Sequence, residues 1–147
     1  MYPMHGAGEI VGVEENEILG EKHKYFVLHV KRKNIKVLLP IDAMEKTGLR
    51  KIVSSEDADK AIAYYASVSE EGNDNWNARY RENMERLKSG SICEVAYVAK
   101  SLLLRDKRKM LSNAERKVLT NAKNVLISEL EAAKNMDGSE IEKLLGI

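Results

Sequence analysis

At 147 residues, with 44% hydrophobic and 32% charged side chains, the chain has the make-up of a folded protein of one domain or two small ones. No apolar run approaches the roughly 18 residues that cross a bilayer and no secretory signal precedes Tyr2, so a cytoplasmic protein is expected. The single cysteine, Cys93, excludes an internal disulfide, and His5, His23 and His29 lack a cysteine partner at metal-ligand spacing, so no metal and no cofactor are expected.

The net charge is only +1, but it is unevenly spread. Residues 54–73 hold one lysine against five acids, a net −4, whereas residues 74–123 hold twelve basic residues against six acids, a net +6. A local basic stretch in a near-neutral chain suits a polyanionic partner, with a solvated helix face as the plain alternative.

In chain order, residues 1–53 read as β. Gly6, Gly8 and Gly12 surround the alternating run Glu9–Val13, and Tyr25–Val30 and Ile35–Pro40 are rich in β-branched and aromatic residues. Gly20 marks one turn. Lys31-Arg32-Lys33-Asn34 marks another, of hairpin length, with Asn34 suited to a positive φ. Several short strands in so few residues bury a face by curling into a small barrel or half-barrel. The run Ile35–Leu39 is either an internal strand or a docking strand for a partner.

From Ser54 to Ile147 the period is helical, and four or five helices are expected. Ala58, Ala61, Ile62 and Tyr65 make one apolar stripe, and Ser69–Asp74 breaks the chain after it. Trp76, Tyr80, Met84 and Leu87 line a second helix that ends at Gly90. Ser91 with Glu94, and Ser112 with Glu115, have the spacing of capping boxes, in which the serine caps forward and the glutamate caps back. The helix after Ser91 buries Ile92, Val95, Ala96, Ala99, Leu102 and Leu103, and Cys93 in the same apolar run is expected to pack with them. The helix after Ser112 turns Val118, Leu119, Ala122, Val125, Leu126, Leu130 and Ala133 inward, and Asp137-Gly138-Ser139 precedes a short amphipathic end, Ile141–Leu145. The fold class is therefore α+β.

No phosphate-binding loop, nucleophile elbow or zinc-protease motif is present, and Gly6-Ala7-Gly8 lacks the third glycine of a dinucleotide loop. The carboxylate pairs Glu14-Glu15 and Glu70-Glu71 are sequence neighbours that point apart. A binding protein is expected rather than an enzyme. Trp76, the one tryptophan, admits two readings: a core anchor of the helical part, or an apolar wedge flanked by Arg79 and Arg81 that disturbs base stacking while the cations hold phosphates. Arg116 and Lys117 begin the long helix near its positive end, where a phosphate can also be held.

Several motifs carry a resemblance. Tyr2-Pro3-Met4-His5-Gly6, Lys24–Leu28, Val37–Pro40 and Gly48-Leu49-Arg50 resemble the N-terminal part of the CarD/CdnL family of bacterial transcription regulators, a part similar to the polymerase-interacting domain of transcription-repair coupling factor. Asn75-Trp76, Arg79-Tyr80, Leu87–Gly90, Glu94-Val95-Ala96 and Leu111–Arg116 resemble, in order, the helical part of the same family.

The resemblance implies a Tudor-like (SH3-like) barrel over residues 1–53 that binds the β subunit of RNA polymerase, with Ile18, Ile35 and Leu38 toward it. It implies a helical domain over residues 54–147 that meets promoter DNA at the upstream edge of the bubble. There Trp76 would be the wedge, and Arg79, Arg81, Arg116 and Lys117 the DNA contacts. Some family members carry arginine where this chain has Asn16 and Leu38, so the polymerase contact is expected to be more apolar, weaker or tuned to a different β subunit. The family's strand before Tyr-Pro is not in this sequence: either the start lies upstream, or the barrel lacks most of its first strand and exposes an edge prone to self-association. Nucleoid association through the polymerase follows, with stabilisation of the open promoter complex as the activity. An adaptor whose helical part binds a second protein is the alternative.

Overall fold

The computed structural model describes residues 1–69 and 74–147. Residues 70–73 of the expected break, and with them the Glu70-Glu71 pair, lie outside the described residues. Three strands, β1 (Glu9–Ile18), β2 (Glu21–Val30) and β3 (Ile35–Pro40), form one antiparallel sheet in the order β1-β2-β3. β1 and β2 run further than apolar alternation suggests, because Glu15 faces Lys24 and Glu17 faces Lys22 across the ladder. Opposite charges at paired positions stabilise a ribbon that has little apolar surface to bury. Leu19 and Gly20, both at positive φ, close this hairpin, and Asn34 takes φ 50° in the next turn. Leu28, Val30 and Leu39 form the buried cluster of the sheet. β1 is exposed along nearly its whole length, and Ile10, Val11, Val13 and Ile18 stand in solvent.

After the single-turn α1 (Met44–Thr47) come five longer helices: α2 (Ser55–Ser67), α3 (Trp76–Lys88), α4 (Ile92–Arg108), α5 (Asn113–Lys134) and α6 (Gly138–Leu145). The class is α+β. Side chains of Ser54, Asn75, Ser91 and Ser112 accept N–H groups in the first turns of α2 to α5, satisfying donors that the helix itself leaves open. The return half of each expected capping box is replaced. Glu94 turns to Arg86 at 2.7 Å and Glu115 to Arg79 at 2.6 Å, since a charge-assisted bond to a guanidinium outcompetes one to a neutral N–H. Cys93 also departs from expectation and is exposed. It follows Ile92 by one residue, about 100° round the helix and off the stripe of Ile92, Val95, Ala96 and Ala99.

α5 organises the molecule. Its buried stripe includes Val118, Leu119, Ala122, Val125 and Leu126 as the periodicity predicts, yet six consecutive residues, Val125 to Leu130, are buried. A helix is buried all round only when it is packed on two sides. α4 covers one side, and the opposite side meets the N-terminal part of the chain. The Ala7 N–H donates to the Ser128 hydroxyl at 3.0 Å, and Gly6 at φ 106° lies so close that a Cβ would sit 2.7 Å from the Ser128 Oγ. Arg32 reaches Glu131 at 2.5 Å. Arg50 closes a bidentate pair with Glu129, both bonds 2.6 Å, while its Nε donates to the Gly90 carbonyl at 2.9 Å. The Val53 N–H gives Glu129 a third bond at 3.0 Å, which matches the three donors needed by a carboxylate only 1% exposed.

Removing Arg50 leaves a buried carboxylate with one neutral donor. Arg50→Ala is expected to lower stability by about 3 kcal/mol, read as a shift of the urea midpoint, and Arg50→Lys should recover little because a single ammonium cannot fill the fork. A loss below about 0.5 kcal/mol would show that the pair is replaceable by water.

Candidate nucleic-acid interface

Three helix ends converge at one end of the helical part. Asn75 caps α3, its side-chain oxygen accepting the N–H groups of Asn77 at 3.0 Å and Ala78 at 3.3 Å, and this makes Trp76 the first helical residue. A side chain in that turn overhangs the end of the helix, and Trp76 is 53% exposed. It lines a recess of about 390 Å³ with Arg105, Lys109 and Met110 from the end of α4 and its loop, and with Ser112, Ala114 and Glu115 from the start of α5. Asp74, at the same recess, stands 3.9 Å from Arg105.

The face of α3 that enters the core differs from the one periodicity suggests. Leu87 is buried and Tyr80 and Met84 partly so, but Arg79 and Asn83 complete the buried row at spacings of four. Arg79, expected on the DNA face, is thus corrected to an interior position. Its side chain is 9% exposed and its Nε donates to Glu115 at 2.6 Å, with Glu115 at 5%. Periodicity passed over Glu115 as a partner because both residues look like surface charges. The available signal was that Arg79, Asn83 and Leu87 recur every four residues. The pair ties the first turn of α3 to the first turn of α5 and so fixes Trp76 relative to Arg116.

Arg81, Arg116 and Lys117 are exposed. Arg81 lies five residues past Trp76, roughly 140° round α3 and away from the tryptophan. Arg116 and Lys117 line a shallow groove of about 300 Å³ with Thr120, Asn121 and Asn124, a lining without an acid. Arg116 closes the first turn of α5 and Lys117 follows it, near the positive end of the helix dipole, which also favours an anion.

On the sheet, directly paired residues share a face. Ile18 pairs Glu21 and Leu38 pairs Val27, so both lie on the odd-numbered face of β2. They are roughly 20 Å apart at about 3.4 Å per residue. Ile35 pairs Val30 and falls on the other face. All three are exposed, at 50%, 43% and 39%. Asn16, paired with His23, is exposed on the same face as Ile18.

Residues 60–146 match the family model "CarD, C-terminal domain", and residues 1–53 match the "CarD-like/TRCF RID domain". The chain belongs to the CarD family of transcription factors. It is 34% identical over 146 residues to "Putative transcription factor YdeB" of Bacillus subtilis (strain 168), covering 97% of this chain and 93% of that protein. Among the described residues no helix is long and apolar enough to cross a membrane.

The buried pair can be tested apart from function. Arg79→Ala should cost about 3 kcal/mol in urea unfolding by stranding Glu115, whereas the double change Arg79→Met with Glu115→Leu should recover most of that loss. Equal stability of the single variant and the parent would remove Arg79 from the core.

Proposed function

We propose that this protein regulates bacterial transcription without catalysis, by holding the RNA polymerase β subunit through residues 1–53 and promoter DNA through residues 54–147. In this reading the exposed tryptophan at the meeting of three helix ends enters the minor groove at the upstream edge of the bubble and stabilises the open complex. The observation that carries it is Trp76, 53% exposed on a helix start that a buried ion pair fixes in place. Burying so large an aromatic is favourable, and a protein leaves it in solvent where a partner covers it. Arg116 and Lys117 serve as phosphate contacts that position the domain without reading sequence. Arg81 adds a contact round the helix from the wedge. Arg79 acts on DNA only through Trp76 and is a positioning residue.

The polymerase surface is assigned to the sheet, with Ile18 and Leu38 on one face and Ile35 at the β3 edge. The outer edge of β1 offers the same strand-pairing chemistry to a second copy. Self-association there predicts a mass in solution that rises with concentration, and a constant monomer mass would refute it. Attachment to polymerase would bring the protein to the nucleoid.

The deciding experiment is Trp76→Ala. It should fold, retain polymerase β subunit from a bacterial extract, and lose the effect on the lifetime of competitor-resistant promoter complexes. Full promoter activity in that variant would end the wedge reading in favour of a protein–protein adaptor. Arg116→Ala and Lys117→Ala should each weaken DNA binding across all sequences and lower the salt slope by roughly one ion, and an unchanged slope takes that residue off the DNA face.

A further inference from the structure

A second large apolar side chain stands at the Trp76 recess. Met110 is 77% exposed, the one exposed methionine of the six, and it lies between Lys109 and Leu111 in the loop joining α4 to α5. The loop is held at both ends. The Lys109 N–H donates to the Arg105 carbonyl at 2.7 Å, the Leu111 N–H donates to the Asp106 carboxylate at 3.2 Å, and the Leu111 side chain is buried. Ser112 then caps α5 through the Glu115 N–H. Solvent exposure of Met110 is therefore a property of a fixed backbone and does not come from a loose loop.

Fixed, exposed apolar groups lose little order when a partner covers them. The charges around the recess define that partner. Its two carboxylates are matched by guanidinium groups, Glu115 by Arg79 and Asp74 by Arg105, which leaves the Lys109 ammonium as excess positive charge. Two apolar side chains beside a net cation suit a polyanion with flat apolar faces, a nucleic acid opened at one step. Methionine is among the side chains that insert between bases from the minor groove.

We infer that Met110 is a second apolar DNA contact, and that Trp76 and Met110 together hold one unstacked base of the promoter in the recess they share. This rests on the DNA reading above and adds to it a residue and a ligand, a single displaced nucleotide. Lys109 supplies the phosphate contact beside it.

The test uses the full chain on bacterial RNA polymerase bound to forked promoter DNA with 2-aminopurine at the upstream fork. The protein should change the 2-aminopurine emission. Met110→Ala should raise the concentration needed by about fivefold, from the lost apolar contact, with the salt slope unchanged. Met110→Leu should restore the parent response and Met110→Gln should not. A parent-like response of Met110→Ala, or equal responses of the Leu and Gln variants, overturns the inference. If Trp76→Ala abolishes the response while Met110→Ala does not, only this inference falls. If Trp76→Ala also keeps the parent response, the DNA reading itself falls.

Discussion

The carboxylate of Glu129, 1% exposed in the C-terminal part of the longest helix, is the fixed point of the molecule. A buried charge is tolerated only when surrounding donors replace its lost water, and here Arg50 and the Val53 amide do so. Both donors come from the segment that leaves the sheet for the helices. One acidic residue thus anchors the junction between the two parts of the chain. The same guanidinium reaches the Gly90 carbonyl, adding the turn between α3 and α4 to the same anchor. With Ser128 and Glu131 on either side of it in sequence, α5 becomes a spine that the sheet side and the helix side both clasp.

From that spine the far end of the helical part follows. The start of α5 presents Arg116 and Lys117 to solvent and turns Glu115 inward onto Arg79. Because Glu115 and Arg116 are consecutive, the inward bond and the outward charge belong to one rigid turn. Arg79 lies three residues after Trp76, so the bond also sets the start of α3. The Trp76 side chain and the exposed charges of Arg116 and Lys117 are in this way referenced to each other through a single buried ion pair. Such a pair is a poor source of net stability against an apolar replacement, and its value here is geometric.

The sheet is organised differently. Its buried cluster is small, Leu28, Val30 and Leu39 with Tyr2, Val37, Met44 and Leu49 packed against it, and β1 contributes paired backbone and paired charges rather than burial. A ribbon of that kind keeps its apolar side chains available. Ile10, Val13 and Ile18 are surface that a partner can cover without unfolding anything.

Much of this was legible in the chain itself. Period and punctuation gave the β part, the helices and their starts, because Ser54, Ser91 and Ser112 act within one helical turn of their own position. The inward stripes of α2 and α4 were readable for the same reason. The sequence also singled out Trp76, with burial and exposure both open. What it could not give was the second buried side of α5, the interior place of Arg79, or the outward turn of Cys93. Burial of a charged residue depends on a partner tens of residues away, 36 for Arg79 with Glu115 and 79 for Arg50 with Glu129. Hydrophobic period records which residues avoid water on their own. It is silent about charges that leave water together, and only the tertiary structure brings those together.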